Sequence, residues 1–274
     1  MQYPKVVASG VEDFGEWIVV RHRPGTPLSQ AWGTMAVEER RDVVHQLAEA
    51  MRAVHGVRLD DHVMAELAFS DGDTRGESID APHQLPATRV LELLDRAGSL
   101  AHVDRGLLRA ARERTEQVSD VLGEDDRRSL VHGDLHLENV LVVDGVLVAL
   151  LDFEWCRPGP PEVDIDVLAR FCADPALHIG GDYPVHPREF SDVLHWVAEV
   201  YPEAFAHPRV KERLVLCALA FEVPWLLRMP PDRPLSALPE FHPARQLAAL
   251  LEHGSHAERI GWQGGSVFDL LKRY

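Results

Sequence analysis

The chain has 274 residues, 44 of them acidic against 28 lysines and arginines, for a formal charge of −16 at pH 7. That balance argues against nucleic acid or an anionic membrane as partner, since both require a basic footprint; it would draw a cationic ligand, although an ordinary solvated acidic exterior accounts for it as well. The length suits one large domain or two unequal lobes, and with no signal-like start and no apolar run of about 18 residues the expected location is the cytoplasm.

In chain order, residues 5–8 and 17–20 read as short strands around a Gly/Asp-containing turn, and Arg23-Pro24-Gly25 then interrupts the chain. Residues 37–55 predict an amphipathic helix, with Val44, Leu47, Met51 and Val54 on its buried face and Gly56 at its end. Residues 70–86 are polar, acidic and glycine-bearing. They read as a surface loop, or as a substrate-side insertion whose Asp71, Asp73 and Glu77 meet a cationic group. Helices are expected over 87–98 and 103–122, the second with an arginine-rich flank paired to Glu113 and Glu116.

The chemistry concentrates in VHGDLHLENVLVVDGVLVALLDFEW, residues 131–155. Asp144-Gly145 separates two apolar, β-branched runs, a hairpin signal because both turn residues must tolerate positive φ. Strands over 139–143 and 146–151 would bring Asp134 and Asn139 level with Asp152 at the open end. Carboxylate and amide oxygens converging in this way suit a hard divalent cation such as Mg²⁺, with one carboxylate left to orient or deprotonate a hydroxyl. A zinc site built on His132, Asp134 and His136 lacks the required spacing.

HGDLHLEN followed by LLDFE resembles the catalytic core of the aminoglycoside phosphotransferase (choline-kinase-like) enzymes, relatives of the protein kinases. The resemblance implies an α+β, protein-kinase-like fold: a mainly helical large lobe around a catalytic β-hairpin (25–274) and a reduced β small lobe with its hinge (1–24). It implies transfer of the γ-phosphate of ATP or GTP to a hydroxyl of a small molecule, such as an aminoglycoside, another amino alcohol or a sugar. Asp134 would receive the hydroxyl and His132 would brace its loop. Asn139 and Asp152 would hold Mg²⁺, and the hinge residues Val19, Val20, Arg21 and His22 would lie along the nucleotide base. Asp164 or Asp166 would hydrogen-bond to the loop of Asp134. His55 would be structural.

One departure from the family pattern stands out. Neither a glycine-rich phosphate loop nor a phosphate-pairing lysine precedes the hinge, and Lys5 reads as a solvent-facing strand end. Three readings are open: the frame begins late; Arg21 or Arg23 serves in place of lysine; or the chain binds nucleotide, or keeps the architecture, without transferring phosphate. A homodimer, or a partner that completes the small lobe, is a further expectation.

Beyond the motif, Arg157-Pro158-Gly159-Pro160-Pro161 reads as a stiff loop leading to a helix over 167–172. Glu154 reads equally as a secondary metal or water ligand and as a surface carboxylate. Helices are expected over 189–200, 210–227 and 244–252, the middle one apolar almost all round and therefore central. Asp192, Glu199 and Glu222 on these helices are candidates for recognising an amine, with solvent exposure the plainer reading. Residues 262–274 would dock as a short helix. Cys156, Cys172 and Cys217 are widely spaced beside apolar runs and read as buried, inert thiols in a reducing compartment.

Overall fold

The catalytic-type hairpin forms where the Asp-Gly step places it. In the computed structural model, which describes residues 5–12, 15–58, 60, 62, 84–123, 129–179 and 186–264, Asp144 and Gly145 both take positive φ, 48° and 74°. They join β5 (Val140–Val143) to β6 (Val146–Leu150). A register shift after Leu141 leaves Val148 as the extra residue, so the pairing runs from Val140 with Leu150 to Val143 with Val146. A short strand, β3 (Thr26–Pro27), adds to the free edge of β5. Gly25, immediately before it, has φ 155° and lies against Leu141 and Val142, a close approach that favours a residue without Cβ.

Upstream, β1 (Val6–Glu12) and β2 (Gly15–Val20) form an antiparallel sheet of their own, longer than the alternation suggests. Its valines and Ile18 are largely exposed. A third small sheet pairs β4 (Ser129–Val131) with β7 (Arg157–Gly159). The sequence reading took 157–161 for a loop because proline cannot donate to a ladder. In a two-stranded sheet, however, Pro158 needs no second neighbour.

Helices supply the bulk. After α1 (Leu28–Trp32), α2 (Val37–His55) buries Val43, Val44, Leu47, Met51 and Val54 in a core shared with the hairpin, β4 and the later helix Val193–Val200. Helices α3 (Ala87–Ala97) and α4 (Arg105–Gln117) form a second cluster. Asp104 caps α4 by accepting from Gly106 and Leu107 N–H at 2.7 and 3.0 Å. Of the α4 arginines, Arg112 pairs with Asp95 on α3 and with Glu116.

Helix α5 spans Glu162–Ala173 and so begins five residues before the predicted 167. Pro160 and Pro161 end the preceding segment, and Glu162 and Asp164 occupy the first turn, where carboxylates complement the helix dipole. The remaining helices are α6 (Val193–Val200), α7 (Val210–Arg228), α8 (Pro243–His253) and α9 (His256–Arg259). As expected of a central helix, α7 buries every residue from Arg213 to Ala220. Arg213 reaches this interior by pairing with Glu162 of α5 at 2.8 Å. The predicted terminal helix falls mainly on 265–274, outside the described residues, as does most of the 70–86 loop. Among the described residues no helix is long and apolar enough to cross a membrane.

Candidate active site

The loop between β4 and β5 carries His132, Asp134 and His136, and a single helical turn, Leu137–Asn139, delivers Asn139 to the start of β5. The Asn139 carbonyl accepts from Leu151 N–H at 2.9 Å, which sets Asp152 just beyond Asn139 at the open end of the hairpin. The Asn139 amide donates through Nδ2 to the Asp134 carbonyl at 2.9 Å and meets Asp134 Oδ2 at 3.4 Å. Its Oδ1 is thereby turned away from Asp134. Asp152 is exposed and has φ 60°, an unusual backbone for a residue other than glycine. The structure therefore brings Asp134 and Asn139 into contact and sets Asp152 beside Asn139 along the backbone.

His132 is fully buried, its ring 4.4 Å from that of Phe153. Its Nε2 meets the Leu151 carbonyl at 2.7 Å, and its Nδ1 accepts from Asp134 N–H at 3.3 Å. These partners require Nε2–H and a lone pair on Nδ1, so the ring ties the Asp134 loop to the end of β6.

Between the two candidate braces the geometry is decisive. Asp164 accepts from His132 N–H at 2.9 Å and Gly133 N–H at 2.8 Å, and from His55 Nε2 at 2.9 Å. Asp166 faces His256 Nδ1 at 3.2 Å instead. Burial alone would raise the Asp164 carboxyl, but the His55 bond and the His132 N–H outweigh it and hold it below the ordinary carboxylate value. His55 completes the brace by meeting the Tyr201 hydroxyl at 3.2 Å, the structural role expected of it.

Gly133 has φ 84°, and a Cβ there would drive into the Trp155 carbonyl and the Arg157 guanidinium. Replacing it with alanine combines left-handed strain with a clash. The expected loss is roughly 2–4 kcal/mol of stability, read as a lowered urea midpoint at unchanged slope.

Sequence reasoning missed Arg157. It is 1% exposed, donating to the Trp155 carbonyl and to Gln84 Oε1, both at 2.7 Å. Burial pulls its guanidinium down to about 10 against the opposing pull of Asp164, so it stays charged at neutral pH. Nothing in Arg-Pro-Gly distinguishes it from a surface loop; only the β4–β7 pairing buries it.

His178 was missed as well. Burial, with the charges of Arg170 and His136, pushes it down to about 3. Its ring lies 5.5 Å from that of His136, and its Nε2 accepts from Arg170 Nη1 at 3.3 Å. Because the unfolded chain takes up this proton first, the stability His178 contributes is complete above its ordinary value of 6.5 and is lost as pH falls towards 3. Unfolding free energies from urea titration should fall between pH 7 and 4.5 by roughly 1–2 kcal/mol more in the native chain than in His178→Gln.

The other candidates are dispersed. Val19 and Val20 end β2, and Arg21 N–H donates to the Lys5 carbonyl at 2.8 Å; the chain then reaches the hairpin sheet through β3. Glu154 is exposed. Glu199 pairs with Arg41 and His45. Glu222, expected at the surface, is 1% exposed and meets Arg170 Nε at 3.5 Å. An acidic side chain on a helix apolar all round has nowhere to go but inward. Burial raises its carboxyl, opposed by Arg170. Cys172 and Cys217 are buried as expected, whereas Cys156 is half-buried; burial pushes Cys156 up to about 11 and raises Cys172 and Cys217 further.

A small β-sheet lobe, a mainly helical lobe and a catalytic-type hairpin together define a kinase-like phosphotransferase fold. Residues 1–199 match the model of the phosphotransferase enzyme family, and the chain belongs to that family. Comparison with curated proteins found no match. Among solved structures, the chain is similar to the GDP complex of aminoglycoside 2′-phosphotransferase-IIIa at 16% identity and TM-score 0.55, covering 92% of this chain and 75% of that one. It is also similar to ADP-bound aminoglycoside phosphotransferase APH(2″)-Ib at 14% identity and TM-score 0.51, covering 94% and 77%. A third likeness, to the gentamicin complex of APH(2″)-IIa, has 12% identity and TM-score 0.50. At these identities the likeness speaks for the fold.

Proposed function

We propose that the chain transfers the γ-phosphate of ATP or GTP to a hydroxyl of a small molecule. The observation that carries this reading is the contact of the Asn139 amide nitrogen with Asp134 at the end of the hairpin where the Leu151–Asn139 backbone bond also sets Asp152. Asp134 accepts the hydroxyl proton and orients the oxygen for in-line attack. His132 and Asp164 hold it in place from behind, so the loop has little reorganisation to undergo at the moment of transfer.

The donor set fits Mg²⁺. Asn139 Oδ1 and the Asp152 carboxylate are hard oxygen ligands, and two protein ligands are what Mg²⁺ commonly takes when phosphates and water complete its shell. When bound, Mg²⁺ would neutralise charge on the phosphates being cleaved. The backbone of Val19, Val20, Arg21 and His22 is assigned to the base, with Arg21 or Arg23 standing where relatives use lysine.

Acceptors in view are an aminoglycoside, another amino alcohol or a sugar. The second reading, nucleotide binding without transfer, is favoured by the small β1–β2 sheet, whose apolar side chains are largely exposed.

Calorimetric titration of Mg·ATP and Mg·GTP into the chain and into Asp152→Asn tests the reading. Micromolar binding by the native chain, weakened at least tenfold in the variant, is expected. No binding to the folded chain at millimolar nucleotide would sink it.

A further inference from the structure

From Asp134 a continuous series of planar groups runs outward across the helical lobe. His136 Nε2 lies 3.5 Å from Asp134 Oδ2, and its ring stands 5.5 Å from that of His178. Arg170 Nη1 is 3.3 Å from His178 Nε2, and the Arg170 guanidinium lies 4.0 Å over the face of Phe221. Phe221 neighbours Trp225 at 6.0 Å, and Arg228 covers Trp225 at 5.5 Å. Phe221 and Trp225 sit one turn apart on α7, as an i, i+4 pair must. The side chains of His136 and Arg170 are 15% and 17% exposed, Phe221 and Trp225 are half-buried, and Arg228 is exposed.

The charge along this series is lopsided. Asp134 supplies the negative charge at the reacting end; beyond it the guanidiniums of Arg170 and Arg228 stand against one carboxylate, Glu222, which is fully buried beside Arg170 and paired with it. Arg228 makes no ion pair among the described residues. His178, half-buried and held neutral, adds no positive charge at neutral pH.

We propose that His136, His178, Arg170, Phe221, Trp225 and Arg228 form the wall along which the acceptor lies, and that the acceptor is a ring-bearing alcohol whose end remote from the phosphorylated hydroxyl is neutral or anionic. This rests on the phosphotransferase reading of Asp134. With its reacting hydroxyl at Asp134, a ligand lying along the wall has its far end over Trp225. An indole face half in water gains by covering with a flat ring or the apolar face of a sugar. Beside it, guanidinium forks favour carboxylate or hydroxyl oxygens and repel an ammonium. The chain's overall acidity would gather cations, but the groups touching the ligand set specificity, and along this wall they are cationic or aromatic.

The test uses three probes titrated by calorimetry into the chain saturated with a non-hydrolysable Mg·ATP analogue: 4-nitrophenyl β-glucoside, 4-nitrophenyl β-glucuronide and the polycation kanamycin. Both glycosides should bind more tightly than kanamycin. Trp225→Ala should raise both glycoside dissociation constants at least tenfold, and Trp225→Phe should largely restore them. Arg228→Glu, at an exposed position, should raise the glucuronide constant at least tenfold and the glucoside constant by a clearly smaller factor, because only the glucuronide carries a carboxylate. Kanamycin binding tightest, glycoside binding indifferent to Trp225→Ala, or no glycoside binding at all would each overturn the assignment. Titration of the Mg·ATP analogue alone is read separately: its failure counts against the nucleotide reading, whereas failure of the glycosides beside intact analogue binding counts against the wall.

Discussion

Asp164→Ala should be the most damaging single substitution in the site, lowering stability by about 3–5 kcal/mol as measured by urea unfolding. The carboxylate is fully buried and accepts from His132 N–H, Gly133 N–H and His55. Removing it strands two backbone donors and an imidazole in the interior, and each unsatisfied buried group costs on the order of 1–3 kcal/mol. Asp164→Asn should recover only part of the loss, since one of its two oxygens becomes a donor facing donors. The loss should also depend on pH. The Asp164 carboxyl is held below its ordinary value, so its contribution is complete above the unfolded value of 3.8 and fades as pH falls through the folded one. At pH 7 the full difference between native and variant is therefore on display. A variant within about 1 kcal/mol of the native chain would mean that the loop is held by His132 alone.

Why Asp164 rather than Asp166 could not be read from the sequence is a matter of helix geometry. Residues two apart on a helix face nearly opposite sides, so only one of the pair can reach the loop. Which one depends on how α5 is rotated against β4, and that is settled by packing: Asp166 is turned to His256 on α9, a helix the sequence reading did not anticipate. The start of α5 was placed late for a related reason, because the acidic residues after Pro161 look like loop until their burial is seen.

The hairpin, by contrast, was legible, because Asp-Gly between β-branched runs restricts the turn locally. Helix α2 was legible because its apolar period is unbroken over many turns. The β4–β7 pairing joins strands of three residues separated by the whole hairpin, and such short runs carry no period of their own. Arg157 depends on that pairing and was hidden with it. Glu222 is the instructive error. The residues around it on α7 were read as apolar on every side, and that pattern already implied that its carboxylate would be buried and paired.

Asp134→Asn should abolish transfer while sparing the fold and the nucleotide, and it separates the two functional readings. The Asp134 side chain is 35% exposed, unlike that of Asp164, so its replacement leaves no buried hole. Asn139 Nδ2 bonds the Asp134 backbone carbonyl at 2.9 Å, a contact that the substitution does not touch. Asparagine matches the shape but cannot take a proton from a hydroxyl or offset charge as the carboxylate does. General-base positioning of this kind is worth roughly 10²–10⁴ in rate. With an acceptor in hand, kcat should fall by about 10³-fold, with the melting temperature and the Mg·ATP dissociation constant nearly unchanged. Asp152→Asn should fail in the opposite order, losing nucleotide first. If Asp134→Asn transferred phosphate as fast as the native chain, the carboxylate would have no part in the chemistry. If the native chain bound Mg·ATP but transferred to no ring-bearing alcohol across neutral, anionic and cationic classes, the non-transferring reading would take its place.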